Sequence, residues 1–169
     1  MTAFDRAIAF TLGWEKEHSP DPVDPGGDTW YGITRRYHPT MEPWPPTRAQ
    51  AVAQYEREYW RAPGFSGLPD AVAVACFDTA VNCGTRRTIS MLQQALRVFD
   101  DSLLGPKTLA EASVADQAWL VKEIIARRLR YYASLDATED RYELGWARRS
   151  VDLLVLCIGL VPRTSRVTS

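Results

Sequence analysis

Cysteine and histidine are scarce in this chain of 169 residues, which holds three of the first and two of the second. Three is odd, so no disulfide framework uses every cysteine. Cys76 and Cys83 stand seven positions apart in one apparent helix. That separates their Cα atoms by roughly 10 Å, beyond the reach of a disulfide. Cys157 can in principle pair with either, but reduced core thiols are the expectation. His18 and His38 show no zinc-type spacing with the cysteines, so neither a metal nor a cofactor is expected. Charge of one sign is also lacking. The net charge is −1, which removes any global electrostatic case for nucleic acid or an anionic membrane. Basic residues cluster only late, at Arg127, Arg128, Arg130, Arg148 and Arg149, and such a helix edge reads as a solvated face.

Long apolar runs are missing too. The longest, Val151–Leu160, is interrupted by Asp152, so no membrane span or stable membrane association is expected. The opening MTAFDRAIAFTLGW has no basic n-region and no small-residue cleavage site, so a cytoplasmic product is expected. There is no internal repeat and no low-complexity segment. What remains is ordinary globular material, 46% hydrophobic and 24% charged. The length suits a single domain over 1–160, with a polar tail at 161–169. Within it we expect a lobe at about 1–66 and a helical lobe at about 67–160.

Gly13–Thr34, GWEKEHSPDPVDPGGDTWYGIT, organises the rest. Thr2 and Asp5 form a helix start, and Phe4, Ile8 and Leu12 recur at helical spacing. This first helix is expected to reach about Glu17, because Pro20, Pro22 and Pro25 forbid its continuation. At about 100° per residue Glu15 falls within roughly 20° of Phe4 and Ile8, whereas Glu17 points away. A carboxyl on the apolar side of a helix end has two readings. It is either an edge residue or an acid in a partly desolvated cleft, where burial raises a carboxyl pKa towards that of a general acid. The following loop holds three prolines, two adjacent glycines and three aspartates. Asp21 and Asp28 read as turn residues capping backbone N–H groups. TWYGIT is β-prone and suits a short hairpin.

Further on, Thr47 with Gln50 reads as a capping box for a helix to about Arg61. Its stripe is Ala51, Val52, Tyr55, Tyr59 and Trp60. Pro69–Cys83 is apolar almost all round and belongs at the centre of a helical fold. Asp78 and Asn82 share one face of it, so they are either hydrogen-bonded or line a cleft. Gly84 ends that helix. Thr85 to Phe99, a short helix opened by Pro106, Asp116–Leu135 and Glu139–Leu160 complete the set. The fold class is therefore mainly α, with about six to eight helices and a small hairpin after the first.

These residues carry a family resemblance. Trp14, Glu15, Asp21, Pro22, Asp24, Pro25, Gly26, Gly27, Thr29, Tyr31, Gly32, Ile33 and Thr34 match, without a gap, a motif similar to that of glycoside hydrolase family 108 muramidases. The chain departs at Lys16, Glu17 and His18, where the family has Gly-Gly-Tyr. Phe77–Asn82, Gly84, Leu92-Gln93, Asp101 and Leu104–Thr108 resemble the peptidoglycan-binding region that accompanies this catalytic part. The resemblance spans about residues 4–150 and implies a lysozyme-like fold and hydrolysis of the β-1,4 bond between N-acetylmuramic acid and N-acetylglucosamine. It implies Glu15 as the catalytic acid. By similarity to the T-even phage lysozymes, Asp24 would serve positive charge or water and Thr29 would hold the water, although the Asp-to-Thr spacing is one residue shorter here. Tyr31, Gly32, Ile33, Asp78, Asn82 and Gln93 are the implied substrate-binding residues. Trp30, Tyr31 and Tyr37 can stack on sugars, or pack in the core. The implied partner is the peptidoglycan glycan strand, met by an endolysin-type monomer released through a holin-type pore or by a dedicated export system. A lytic transglycosylase and a non-catalytic wall-binding module are the competing readings.

Overall fold

The structure, a computed structural model, describes residues 1–15, 18–19, 28–135 and 140–162, with the backbone alone for residues 19 and 140–143. Helix α1 spans Ala3–Trp14. It opens as its sequence demands, with the Asp5 N–H donating to Thr2 Oγ1 and the Thr2 N–H to Asp5 Oδ2. It buries Ala7, Ile8 and Thr11. It stops short of the expected Glu17. Glu15 turns to an extended backbone (φ −76°, ψ 132°), although its N–H still donates to the Thr11 carbonyl. The acid is therefore the cap of the helix rather than part of its barrel.

Three two-residue strands follow, β1 (His18–Ser19), β2 (Thr29–Trp30) and β3 (Ile33–Thr34), antiparallel in the order β1-β2-β3. Trp30 lies opposite His18 on one side and Ile33 on the other. Tyr31 (φ 51°) and Gly32 (φ 77°) join β2 to β3. Positive φ at both central residues is what a tight two-residue hairpin of the right twist requires.

Helix α2 (Arg48–Tyr55) begins at the Thr47–Gln50 capping box. It reaches the expected Arg61, but the last part, Glu56–Arg61, is π-helical. Tyr55 and Trp60 both meet Phe77 edge-on, Tyr59 packs on Tyr55, and Phe4 lies edge-on to Phe77 and tilted against Trp60. A single 3₁₀ turn (Phe65–Gly67) leads to α3, Asp70–Cys83. Every residue from Ala71 to Ala80 is buried, because α1, α4, α6 and α7 surround it. Side chains such as Val72, Val74 and Phe77 each contribute about 1.5–3 kcal/mol by leaving water. Gly84 (φ 85°) terminates α3, and its carbonyl accepts from both the backbone and the hydroxyl of Thr88.

Helices α4 (Thr85–Leu96), α5 (Pro106–Val114), α6 (Gln117–Tyr132) and α7 (Asp140–Leu160) complete a mainly α, lysozyme-like architecture. Two expectations fail here. Helix α4 ends three residues early, because Arg97 adopts the left-handed conformation, and this leaves Phe99 78% exposed instead of in the apolar stripe. The arginine cluster is not one solvated face. Arg130 and Arg148 are exposed, but Arg128 and Arg149 are buried. Helical phase explains it: Arg128 continues the stripe Leu120, Val121, Ile124 and Ile125, and Arg149 sits beside Ser150 and one turn before Leu153. Cys76, Cys83 and Cys157 are free thiols in the core. Among the described residues no helix is long and apolar enough to cross a membrane.

Candidate active site

Glu15 is the outer end of a buried chain of charges. Its Oε1 accepts from Arg149 Nη1 at 2.8 Å. Arg149 turns its other edge to Asp78, with Nη2 2.6 Å from Oδ1 and Nε about equidistant from both carboxylate oxygens at 3.1 and 3.2 Å. Asp78 accepts two further bonds, from Thr11 Oγ1 at 2.9 Å and Arg128 Nη1 at 2.6 Å. Arg128 Nε then donates to the Tyr132 hydroxyl. Side-chain exposure falls inwards along this line, from 24% for Glu15 through 8% for Arg149 to 0% for Asp78 and Arg128. Helices α1, α7, α3 and α6 each supply a member.

The energetics follow from that gradient. An isolated charge in such an interior is prohibitive, so each must face an opposite one with good geometry. The four groups carry two positive and two negative charges. Burial pushes the Asp78 carboxyl up, but Arg128 and Arg149 outweigh it and hold the group below the ordinary carboxylate range. Among the described residues, Arg128 Nη2 and Thr34 Oγ1 are the buried side-chain polar atoms without a hydrogen-bond partner.

The hairpin tip closes on Glu15 from the opposite side. A Cβ at Gly32 would lie 3.1 Å from Glu15 Oε2 and 2.4 Å from Tyr55 Oη. Only glycine fits, for space and for its positive φ. Tyr55 Oη donates to the Tyr31 carbonyl at 3.0 Å, which ties the hairpin to α2. Burial first, and the Glu15 charge second, push the Tyr55 phenol far above its usual pKa, so it stays a protonated donor. Glu15 thus has one oxygen committed to Arg149 and one turned towards the Tyr31–Gly32 turn, with no hydrogen-bond partner among the described residues.

A second cluster lies on the sheet. Asp28 was expected to cap backbone N–H groups. Instead it accepts from the indole N–H of Trp44 at 2.6 Å and of Trp30 at 3.1 Å, and lies 3.0 Å from His18 Nε2. The Trp44 bond is the main reason its carboxyl is held below the usual range. The His18 ring stacks on Trp30 at 4.3 Å, so one residue of the Lys16–His18 departure forms part of the sheet's face.

The other candidates scatter. Asp24 lies outside the described residues. Thr29 is buried in β2, opposite Ser19 and Thr34. Tyr31 and Gly32 form the tip against Glu15, whereas Ile33 is 4% exposed and belongs to the core. Asp78 is sealed in the ion network, and Asn82 Nδ2 donates to the Asp78 carbonyl. Gln93 is buried elsewhere. It donates to Asp101, the Leu103 carbonyl and Thr108, and accepts from the Ser102 N–H, so it pins the segment between α4 and α5. The structure brings Glu15, Tyr31, Gly32 and, through Arg149, Asp78 together, and leaves Gln93 apart. Tyr37 is 72% exposed, and Trp30 is half-buried against His18. Arg149, Arg128 and Tyr55 were not read from the sequence as site residues, although helical phase places all three on buried stripes.

Comparison with known proteins bears on the family and the fold. Residues 8–84 match the family described as glycosyl hydrolase 108, and residues 87–151 match the predicted peptidoglycan domain. Among solved structures the chain is similar to that of Brucella abortus SagA, with 27% identity, a TM-score of 0.83, and 97% of this chain and 98% of that chain covered. No curated protein matches in sequence.

Proposed function

We propose, from the match of residues 8–84 to the glycosyl hydrolase 108 family and of residues 87–151 to the predicted peptidoglycan domain, that the chain is a peptidoglycan-directed glycoside hydrolase and, more finely, a muramidase. It cleaves the β-1,4 bond between N-acetylmuramic acid and N-acetylglucosamine, with Glu15 as the general acid. The observation that carries this reading is the setting of Glu15. It is the partly buried outer end of an otherwise buried ion network, fixed by Arg149 at 2.8 Å and bordered by a glycine turn with no side chain to block it.

Glycoside hydrolysis needs an acid to protonate the leaving oxygen and a carboxylate to serve the developing positive charge or the attacking water. Arg149 occupies Oε1 of Glu15, so in the protonated form that acts as the acid the proton sits on Oε2, beside the Tyr31–Gly32 turn, and leaving it restores the ion pair with Arg149. Fixing the carboxyl in one rotamer is worth rate, because a near-attack geometry avoids an entropy cost at the transition state. Asp24 is the proposed partner carboxylate, and Thr29 the proposed water-holding residue. Asp78 acts through Arg149 and does not touch the substrate.

The test is Glu15→Gln, assayed on purified sacculi with mass spectrometry of the released fragments. The wild type should yield reducing muramic acid ends. The variant should lose about 10²–10⁴-fold in rate, the usual worth of a general acid, with its fold retained. Undiminished activity in the variant removes Glu15 from the mechanism. Fragments ending in 1,6-anhydro rings replace hydrolysis with transglycosylation. Sedimentation with sacculi without any new ends reduces the protein to a wall-binding module.

A further inference from the structure

The matched peptidoglycan domain contains a pocket that the catalytic reading does not use. It opens between α4 and α6, has a volume of about 340 Å³, and shares no lining residue with the Glu15 network. Helix α4 contributes Arg87, Ser90 and Gln94, and α6 contributes Arg127, Arg130 and Tyr131. On α4 these positions are three and four apart, and so are those on α6, so each set is one helix face.

The chemistry of the lining is cationic and partly preorganised. The Arg87 guanidinium lies over the Tyr131 ring at 4.1 Å, and its Nη1 donates to the Cys83 carbonyl at 2.9 Å. Stacking of this kind holds a guanidinium in one plane while leaving its other N–H groups free. Arg127 is neutralised by Glu123, four residues earlier. Ser90 and Gln94 are also engaged, since both donate to the Asp100 carboxylate. Arg130 and Arg87 remain. Both are exposed, and neither has an ion pair among the described residues. Two unpaired guanidiniums facing one pocket, in a chain whose net charge is −1, describe a site for a carboxylate-bearing ligand.

We infer that this pocket binds the carboxylates of the peptide stems of peptidoglycan, and so anchors the enzyme on stem-bearing wall. This rests on peptidoglycan being the substrate. The sugars of the glycan are neutral once the lactyl carboxyl is amide-linked, so the free anions of the polymer lie on its stems. A cationic pocket on a wall-directed domain therefore reads the peptide, while the Glu15 site works on the sugar.

The test uses the full chain and sacculi freed of attached phosphate polymers. Co-sedimentation is measured for the wild type, for R87Q/R130Q and for R130E. The last alters one exposed side chain and keeps the Arg87–Tyr131 stack. Three substrates are compared: intact sacculi, sacculi with stem carboxyls amidated, and glycan strands stripped of stems with the lactyl carboxyls so freed capped as amides. Both variants should bind intact sacculi about tenfold more weakly, and amidation should bring the wild type down to the same level. Cleavage of stem-free strands should be the same in all three proteins. Wild-type binding by R130E, or equal wild-type binding to intact and stripped material, overturns the inference. Failure of wild type to cleave any glycan would instead strike the hydrolase reading, and the binding comparison would still decide the pocket.

Discussion

Replacing Asp78 with asparagine keeps the shape of the side chain and removes its charge. In the native protein Asp78 faces Arg128 and Arg149, and both of its oxygens are occupied. After the change, two buried guanidiniums share only Glu15, which is already 24% exposed at the far end of the network. Removing one partner of a buried pair costs about 3–5 kcal/mol, because the remaining charge stays desolvated. Exposure of 0% for both Asp78 and Arg128 argues for the upper part of that range. Against a total stability of roughly 5–15 kcal/mol, the loss is large. For a chain of this size it corresponds to a fall in Tm of roughly 6–20 °C. Urea titration with circular dichroism measures it. Charge balance supplies the control: Asp78→Asn leaves one net positive charge in the network, and adding Arg128→Met restores neutrality. The double variant should therefore be more stable than Asp78→Asn alone, a marked departure from additivity. A loss below about 1 kcal/mol for Asp78→Asn, or simple additivity in the double, would show that water screens this network and would refute the reasoning. The pH dependence has a definite sign. The folded Asp78 is held below its ordinary range, so its contribution is complete above the unfolded value of about 3.9 and disappears as pH falls through the lower folded value. The asparagine variant should lose that part of the acid limb.

Two further changes probe the hairpin and a helix start. Gly32→Ala forces a side chain into positive φ, which costs about 1–2 kcal/mol, and sets its Cβ against Tyr55 Oη and Glu15 Oε2. Hydrolysis should fall with modest loss of stability, and Tyr55→Phe in the same chain should recover part of it by removing the clashing oxygen, as a rate-based double-mutant cycle would register. Thr47→Ala deletes the capping box of α2; thermal unfolding should show a loss of about 1 kcal/mol with turnover of sacculi unchanged.

Legibility in the sequence tracked how local each determinant was. The helix start at Thr2, the capping box at Thr47, the stop at Gly84, the Pro106 helix start and the apolar α3 depend on neighbours within a few residues, and each is where pattern put it. The exceptions have backbone causes that hydrophobic period does not encode. Glu15 leaves the helix one residue after Trp14, Arg97 turns left-handed, and α2 widens into a π-helix at Glu56. The site was legible in part. Phase singled out Glu15 over Glu17, and TWYGIT suited a short hairpin, but nothing read from the sequence put its turn at Tyr31–Gly32. The supports of Glu15 were not legible, because Arg149 stands 134 positions from Glu15 and 71 from Asp78. Charge composition suggested a solvated face there, although the apolar phase of α6 and α7 already placed Arg128 and Arg149 inward. Where the two cues disagree, phase is the better guide, since a buried arginine is stable once a carboxylate meets it.

The same separation in sequence bears on how the two matched regions relate. Their boundary falls between residues 84 and 87. Thr11, Glu15 and Asp78 lie before it; Arg128 and Arg149 lie after it. Had the second region been only a tethered wall binder, the first would carry its own counter-charges. Instead Asp78, fully enclosed on α3, has both of its cationic partners across the boundary, and the guanidinium that orients Glu15 comes from α7. A hydrolase region alone would hold a buried carboxylate with only the Thr11 hydroxyl to satisfy it, and a Glu15 with no fixed rotamer. The interface between the regions is thus part of the candidate active site. Selection on catalysis would then reach residues of the second region that never touch a sugar, with Arg149 and Arg128 foremost, while leaving its cationic pocket free to vary with the stem chemistry of the wall it meets.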